Sequence, residues 1–208
     1  MNKLAAEDSA IIVRFQRGDR IAFDELVRRH RQRAYQFAYR LTKNSDEAAD
    51  IVADAFIRVF RALDGFKGDS SFTTWLFRIE TNCFLDIRKR SHSKQIVSIE
   101  ELNGVQSEHG SNQLADESEP VQQQIERSER ISVIEQAMLS LPEHQRAILL
   151  MYHAESMSYE DIAECLRLPL GTVKSRINRA RLNLRTALHP YRRLFITRST
   201  RKILLAGV

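Results

Sequence analysis

Residues 158–181 read SYEDIAECLRLPLGTVKSRINRAR, and the spacing inside this stretch predicts two short helices joined by a tight turn. Ser158-Tyr159-Glu160-Asp161 has the form of a capping box, with Asp161 standing in for the usual Glu or Gln. Ile162, Ala163 and Leu166 follow at helical spacing, and Arg167-Leu168-Pro169 supplies the turn. A second helix is expected from about Leu170 to Leu188. Val173 and Ile177 would pack it on the first, and Ala163 is small where the two must cross closely. Two helices meeting sharply through three or four residues make a helix-turn-helix. The second helix would then offer Thr172, Lys174, Ser175, Arg176, Asn178, Arg179 and Arg181 to solvent. Arg and Lys bond guanine edges in the major groove, Asn prefers adenine, and Ser or Thr bonds bases or phosphates. The start of the helix attracts phosphate as well. A merely solvated basic face leaves the coincidence of turn, apolar set and charge without a reason.

The charge around this stretch points the same way. No acidic residue follows Glu164, while Arg167, Arg185, Arg192, Arg193, Arg198, Arg201 and Lys202 add to the cations already named. A surface built only for solubility mixes its signs. The whole chain of 208 residues carries +5, a weaker signal than this asymmetry.

Upstream, Pro142 sits where a helix start tolerates proline, with Glu143 beside the positive end. Ala147, Ile148, Leu150 and Met151 continue that helix, and Ile125, Ile131, Ile134, Ala137, Met138 and Leu141 mark another before it. Between about Ser91 and Gln124 the periodicity fades. Glu100, Glu101, Glu108, Asp116, Glu117 and Glu119 there face a single cation, Lys94. Residues 92–124 are therefore expected to be a flexible acidic linker.

The first half is again helical. Ile11, Ile12 and Phe15 form a short stripe that stops near Gly18, and a longer helix is expected from about Ile21 to Leu41. Ser45 is expected to cap the next helix. There Ala48, Ile51, Val52, Ala55, Phe56, Val59 and Phe60 keep the helical period while Glu47, Asp50, Asp54 and Arg61 share another face. Gly65 to Ser71 reads as a loop. A fourth helix carries Phe72, Trp75, Leu76, Ile79, Cys83 and Leu85 and ends in Arg88-Lys89-Arg90.

With only 7 Gly and 4 Pro and a 43% hydrophobic content, the chain suits two small all-α domains. Cys83 and Cys165 lack metal-ligand spacing and are expected to be buried, inert thiols. No apolar run reaches the length of a membrane span, and a cytoplasmic protein is expected.

Several strings resemble a known family. Tyr159-Glu160-Asp161-Ile162-Ala163, Leu170-Gly171-Thr172-Val173-Lys174-Ser175-Arg176, Arg179-Ala180-Arg181 and the earlier Leu141-Pro142-Glu143 are similar to region four of bacterial sigma factors. Phe23-Asp24-Glu25-Leu26, Ala49-Asp50-Ile51-Val52 with Phe56, Phe66-Lys67-Gly68-Asp69-Ser70 and Trp75-Leu76-Phe77-Arg78-Ile79 resemble region two in order and spacing. The short chain, without an added N-terminal domain or a region three, is similar to the extracytoplasmic-function type. The resemblance implies region two over 8–91, the linker over 92–124, region four over 125–190 and a basic tail of unassigned role over 191–208.

That resemblance carries roles with it. It implies core RNA polymerase as partner, through the β′ clamp helices and the β flap, together with promoter DNA and an anti-sigma factor that is often membrane-anchored. Glu47, Asp50 and Asp54 would dock on the clamp helices. Thr172 to Arg181 would read the −35 element. Phe66, Lys67, Arg78, Asn82, Arg88, Lys89 and Arg90 would read and open the −10 element, where a flipped base costs a few kcal/mol to hold. Trp75 is either a melting wedge or part of the core stripe with Phe72, Leu76 and Ile79. The linker would enter the polymerase cleft or act as a solvated spacer. Three residues depart from the family pattern: Ala49 and Ala53 replace polar residues on the acidic face, and Glu80 puts an acid where it would lie near DNA and tune base choice.

An enzyme is the rival reading. The six His are scattered, and neither HExxH, a phosphate loop nor GxSxG is present, so no catalytic role, metal or cofactor is expected. A serine recombinase would need strands in the first half, and none is predicted. A free-standing repressor would bind duplex DNA alone, whereas a sigma factor would bind promoters well only with core polymerase.

Overall fold

The computed structural model describes residues 3–95 and 121–195. Among them it is helical throughout: α1 (Lys3–Gln16), α2 (Ala22–Thr42), α3 (Ser45–Ala62), α4 (Phe72–Gln95), α5 (Val121–Leu139), α6 (Glu143–His153), α7 (Tyr159–Leu166), α8 (Leu170–Leu188) and the short α9 (Arg192–Phe195). Helix occupies both ends of the segment expected to be linker. Residues 96–120, which hold its acidic run, and 196–208 of the basic tail lie outside the described residues.

The helix ends follow local chemistry. Asn44, not Ser45, caps α3. Its extended backbone lets its side-chain oxygen accept from the Asp46 and Glu47 amides, at 2.9 and 3.0 Å, which Ser45 inside the helix could not do. Ser71 caps α4, its Oγ accepting from the Thr74 amide. The capping box before α7 forms as expected, with the Asp161 amide donating to Ser158 Oγ at 3.0 Å and the Ser158 amide donating to Asp161 Oδ2 at 3.1 Å. Arg167 ends α7 in the left-handed region (φ 52°), and its amide closes on the carbonyls of the last turn.

In the N-terminal unit α1 to α4 bury most of the predicted stripes, while Phe60 stays exposed and Val52, Ile79 and Leu85 are half-buried. Phe15, Leu26, Phe37, Ile51, Val59, Leu76 and Phe84 are all inaccessible or nearly so. Phe37 and Phe77 meet at 4.6 Å between ring centroids, close enough for a tilted aromatic pair. Trp75, half-buried, packs between Phe66 and Phe72, at 4.8 and 6.1 Å. In the C-terminal unit Ile162, Val173, Ile177 and Ala180 lock α7 on α8, and Cys165 rather than Leu166 fills the fully buried place on α7.

The two units also pack on each other, which nothing in the periodicity announces. Helix α4 lies against α7 and α6, and α2 against α6. Arg146, buried on α6, donates to the Leu41 carbonyl at 2.6 Å and to the Leu139 and Leu141 carbonyls at 2.9 and 3.3 Å. One guanidinium thus satisfies orphan carbonyls at the ends of α2 and α5, where a cation is also favoured by the helix dipoles. Lys43 pairs with Glu135 across the same seam. Glu155, in the turn after α6, receives Arg33 at 2.9 Å and Arg40 at 3.0 Å from α2.

Candidate nucleic-acid interface

Helix α8 is held from one side only. With Val173, Ile177 and Ala180 turned inward, Lys174, Ser175, Arg176, Asn178, Arg179 and Arg181 are exposed and Thr172 is half-buried. The helical period alone enforces this separation, because the inward residues recur every three or four positions. Ser175 donates back to the Thr172 carbonyl at 2.9 Å. Arg181 lies over the Tyr152 ring at 4.9 Å, a cation–π contact that steadies its stem on α6. Its charge and, before it, burial hold His153 below the usual imidazole range, so this edge of α6 adds no imidazolium to the basic face at neutral pH.

The second candidate surface is built by the loop after α3 and by α4. Gln16 pins the loop from α1. Its side-chain amide donates to the carbonyls of Leu63 and Phe66 at 3.1 and 2.9 Å. This positioning contact spans 47 to 50 residues of sequence, and no periodic signal could have found it. Phe66 is half-buried against Trp75, while Lys67 projects from the loop beside Gly68, whose φ of +76° suits glycine. Asn82, Lys89 and Arg90 are exposed on α4, and Arg78 and Arg88 are half-buried.

The sequence put Arg88 on the nucleic-acid side and Glu47 on the docking side. In the fold they join each other at 2.6 and 3.3 Å. Asp50 and Asp54 remain exposed on the outer face of α3, and Ala49 and Ala53 are exposed beside them. Arg58, next along α3, is tied to Asp86 of α4 at 3.1 Å, a bond that raises its already high pKa.

Glu80 corrects an expectation. The sequence places it near DNA, but its side chain is wholly buried on α4. Burial, then the charge of Glu155, pushes its carboxyl well above the usual range. The two thiols are buried as expected. Loss of solvation lifts Cys83 to about 11 and Cys165 to about 12, so neither is a nucleophile at neutral pH.

Sequence comparison matches residues 26–94 to the family described as Sigma-70 region 2 and residues 131–184 to Sigma-70, region 4. The RNA polymerase sigma-H factor of Pseudomonas aeruginosa is 37% identical over 187 residues, spanning 88% of this chain and 95% of that protein. The ECF RNA polymerase sigma factor SigW of Bacillus subtilis is 33% identical over 85% of this chain and 94% of its own length. The ECF RNA polymerase sigma-E factor of Escherichia coli is 34% identical, over 88% and 95% respectively. Among solved structures, the Bartonella quintana sigma factor RpoE in complex with the anti-sigma factor NepR superposes with a TM-score of 0.60 at 26% identity. That alignment covers 80% of this chain and 96% of the other. CnrH, solved with the cytosolic domain of CnrY, shares the fold with a TM-score of 0.61 over 88% of this chain, at 23% identity.

Proposed function

The chain belongs to the extracytoplasmic-function sigma factors of the sigma-70 family, and from that premise we propose how its two surfaces divide the work of starting a transcript. It binds core RNA polymerase, directs it to promoters and assists DNA opening. The exposed face of α8 enters the major groove of the −35 element: Arg176, Arg179 and Lys174 toward guanine edges, Asn178 toward adenine, Thr172, Ser175 and Arg181 toward bases or phosphates. Phe66 and Lys67 of the loop, with Asn82 on α4, receive unstacked −10 bases, and Arg78, Arg88, Lys89 and Arg90 hold the strands. Asp50, Asp54 and Glu47 on α3 dock on the β′ clamp helices, and the region-four unit meets the β flap.

The observation that carries this reading is the face of α8. Lys174, Ser175, Arg176, Asn178, Arg179 and Arg181 stand exposed on a helix whose other side is closed by Val173, Ile177 and Ala180, and no Asp or Glu follows in the chain. Each reader alone is weak. Joined on one platform, the second engagement becomes intramolecular and selectivity rises without new contacts. The polymerase carries out phosphoryl transfer and this chain none, so it works where the polymerase does, in the cytoplasm. An anti-sigma factor is the regulatory partner, a reading supported by the NepR-bound relative, whose alignment takes in both helical units.

The test is transcription from a promoter library by core polymerase with and without the purified protein, with start sites mapped. Starts that appear only with the protein, downstream of shared −35 and −10 sequences, are the expected result. A protein that binds core polymerase without redirecting its start sites, or does not bind it, overturns the reading.

A further inference from the structure

Glu80 lies on α4 between Phe77, which Arg33 covers at 5.2 Å, and Phe84, which Arg146 of α6 covers at 5.8 Å, and it is treated very differently from Glu155. Glu155 is bonded by two cations of α2, Arg33 and Arg40, whose own side chains stay about half in water. Glu80, on α4, has neither oxygen hydrogen-bonded, although both are inaccessible to solvent. Around it Phe77 and Phe84 of α4 are buried, and Arg146 of α6 lies over the Phe84 ring at 5.8 Å. A carboxylate in such a place, with no donor and a second carboxylate close by, is one of the most costly groups a protein interior can hold. A neutral carboxylic acid is tolerated.

We propose that the seam between the two units is a proton-linked latch: their closed packing, clamped by Arg33 and Arg40 on Glu155, requires an uncharged Glu80, and ionisation of Glu80 drives the units apart.

The groups carried by the surrounding elements leave Glu80 as the one that titrates into conflict. On α2, Arg33 and Arg40 are turned to Glu155, and His30 is paired with Asp8 of α1. On α3, Arg58 is turned to Asp86. Arg146 of α6 donates to main-chain carbonyls. On α7, Asp161 closes its own capping box, Tyr159 packs on Tyr152, and Glu160 and Glu164 are exposed. The Cys83 thiol, beside Glu80 on α4, stays neutral. The neighbouring charge that acts on Glu80 is that of Glu155, and it repels.

The sign follows from linkage. The carboxyl of the closed form takes its proton more tightly than that of the open form, where water solvates it. The closed form therefore keeps its full advantage below an ordinary carboxylate value of about 4.3 and loses it as pH rises through the higher closed-form value. Within that window the closed-to-open ratio falls by up to about tenfold per pH unit.

Opening has a use, and this clause rests on the function proposed above. In the closed form α4 packs on α7 and α6, which holds the −10 loop and α8 at one fixed separation. Elements centred near −10 and −35 are about 25 base pairs apart, about 85 Å of duplex at ~3.4 Å per base pair. Separating the units frees the two readers to reach that spacing.

The experiment measures the radius of gyration of the full chain by solution X-ray scattering between pH 4.5 and 8, with circular dichroism confirming helicity. The wild type should expand as pH rises. Glu80→Gln should stay compact throughout, and Glu80→Leu, uncharged and of similar bulk, serves as the second variant. The double change Arg33→Gln, Arg40→Gln, at half-exposed positions, should expand even at the acid end. A wild type of constant dimensions, neutral Glu80 variants that still expand with pH, or a clamp variant that stays compact would each overturn the latch. Because no polymerase or promoter takes part, failure here leaves the transcription result untouched, and failure there leaves this one.

Discussion

The N-terminal and C-terminal units spend their charges in opposite ways. In the first, several cations are met by carboxylates of the same unit: Arg14 by Asp19 and Glu25, Arg20 by Asp64, Arg29 by Glu7, Arg58 by Asp86 and Arg88 by Glu47. In the second, the cations of α8 stand on a face that the chain supplies with no acid after Glu164. A surface of the second kind is ready for phosphate at any moment. One of the first kind must exchange an internal partner for a nucleic-acid one, so the strand-holding role proposed for Arg88 requires it to leave Glu47.

The contrast can be tested from its strongest consequence downward. Phe37 is inaccessible and seated on Phe77 in the N-terminal core. Phe37→Ala should lower stability by about 3–5 kcal/mol, read as a shift in the denaturant midpoint. A loss below about 1 kcal/mol would mean that the core collapses into the space and the bundle is looser than described. Arg179→Ala removes an exposed side chain. It should leave that midpoint unchanged but reduce −35 selectivity by about 1–3 kcal/mol in holoenzyme transcription. Unchanged promoter preference would remove Arg179 from the reading face. Glu47→Ala is the smallest change. The partly exposed pair with Arg88 is worth roughly 0.2–1 kcal/mol, so stability should barely move. Freed of its partner, Arg88 should strengthen binding of −10 single strands and steepen the salt dependence of that binding. Weaker binding instead would show that Glu47 positions Arg88 rather than competing for it.

Much of this organisation could be read before any coordinates. The stripe Ala48, Ile51, Ala55, Val59 and the capping box at Ser158 rest on neighbours within a few residues, and such local rules are written in spacing. The exposed set on α8 was legible for the same reason. Asn44 was missed because two adjacent residues are both good caps, and the choice depends on which takes extended backbone. Gln16 on the −10 loop, Arg146 on the ends of α2 and α5, and Arg33 with Arg40 on Glu155 were invisible. Each joins positions that no period relates.

Family membership, helical class and the basic reading face come from the order of residues alone, because helix period, cap and charge are properties of neighbours along the chain. Whether Glu80 meets water, DNA or a closed interior was decided only when the other helices packed on α4. A side chain's solvation belongs to everything that surrounds it, and most of what surrounds Glu80 comes from elsewhere in the chain.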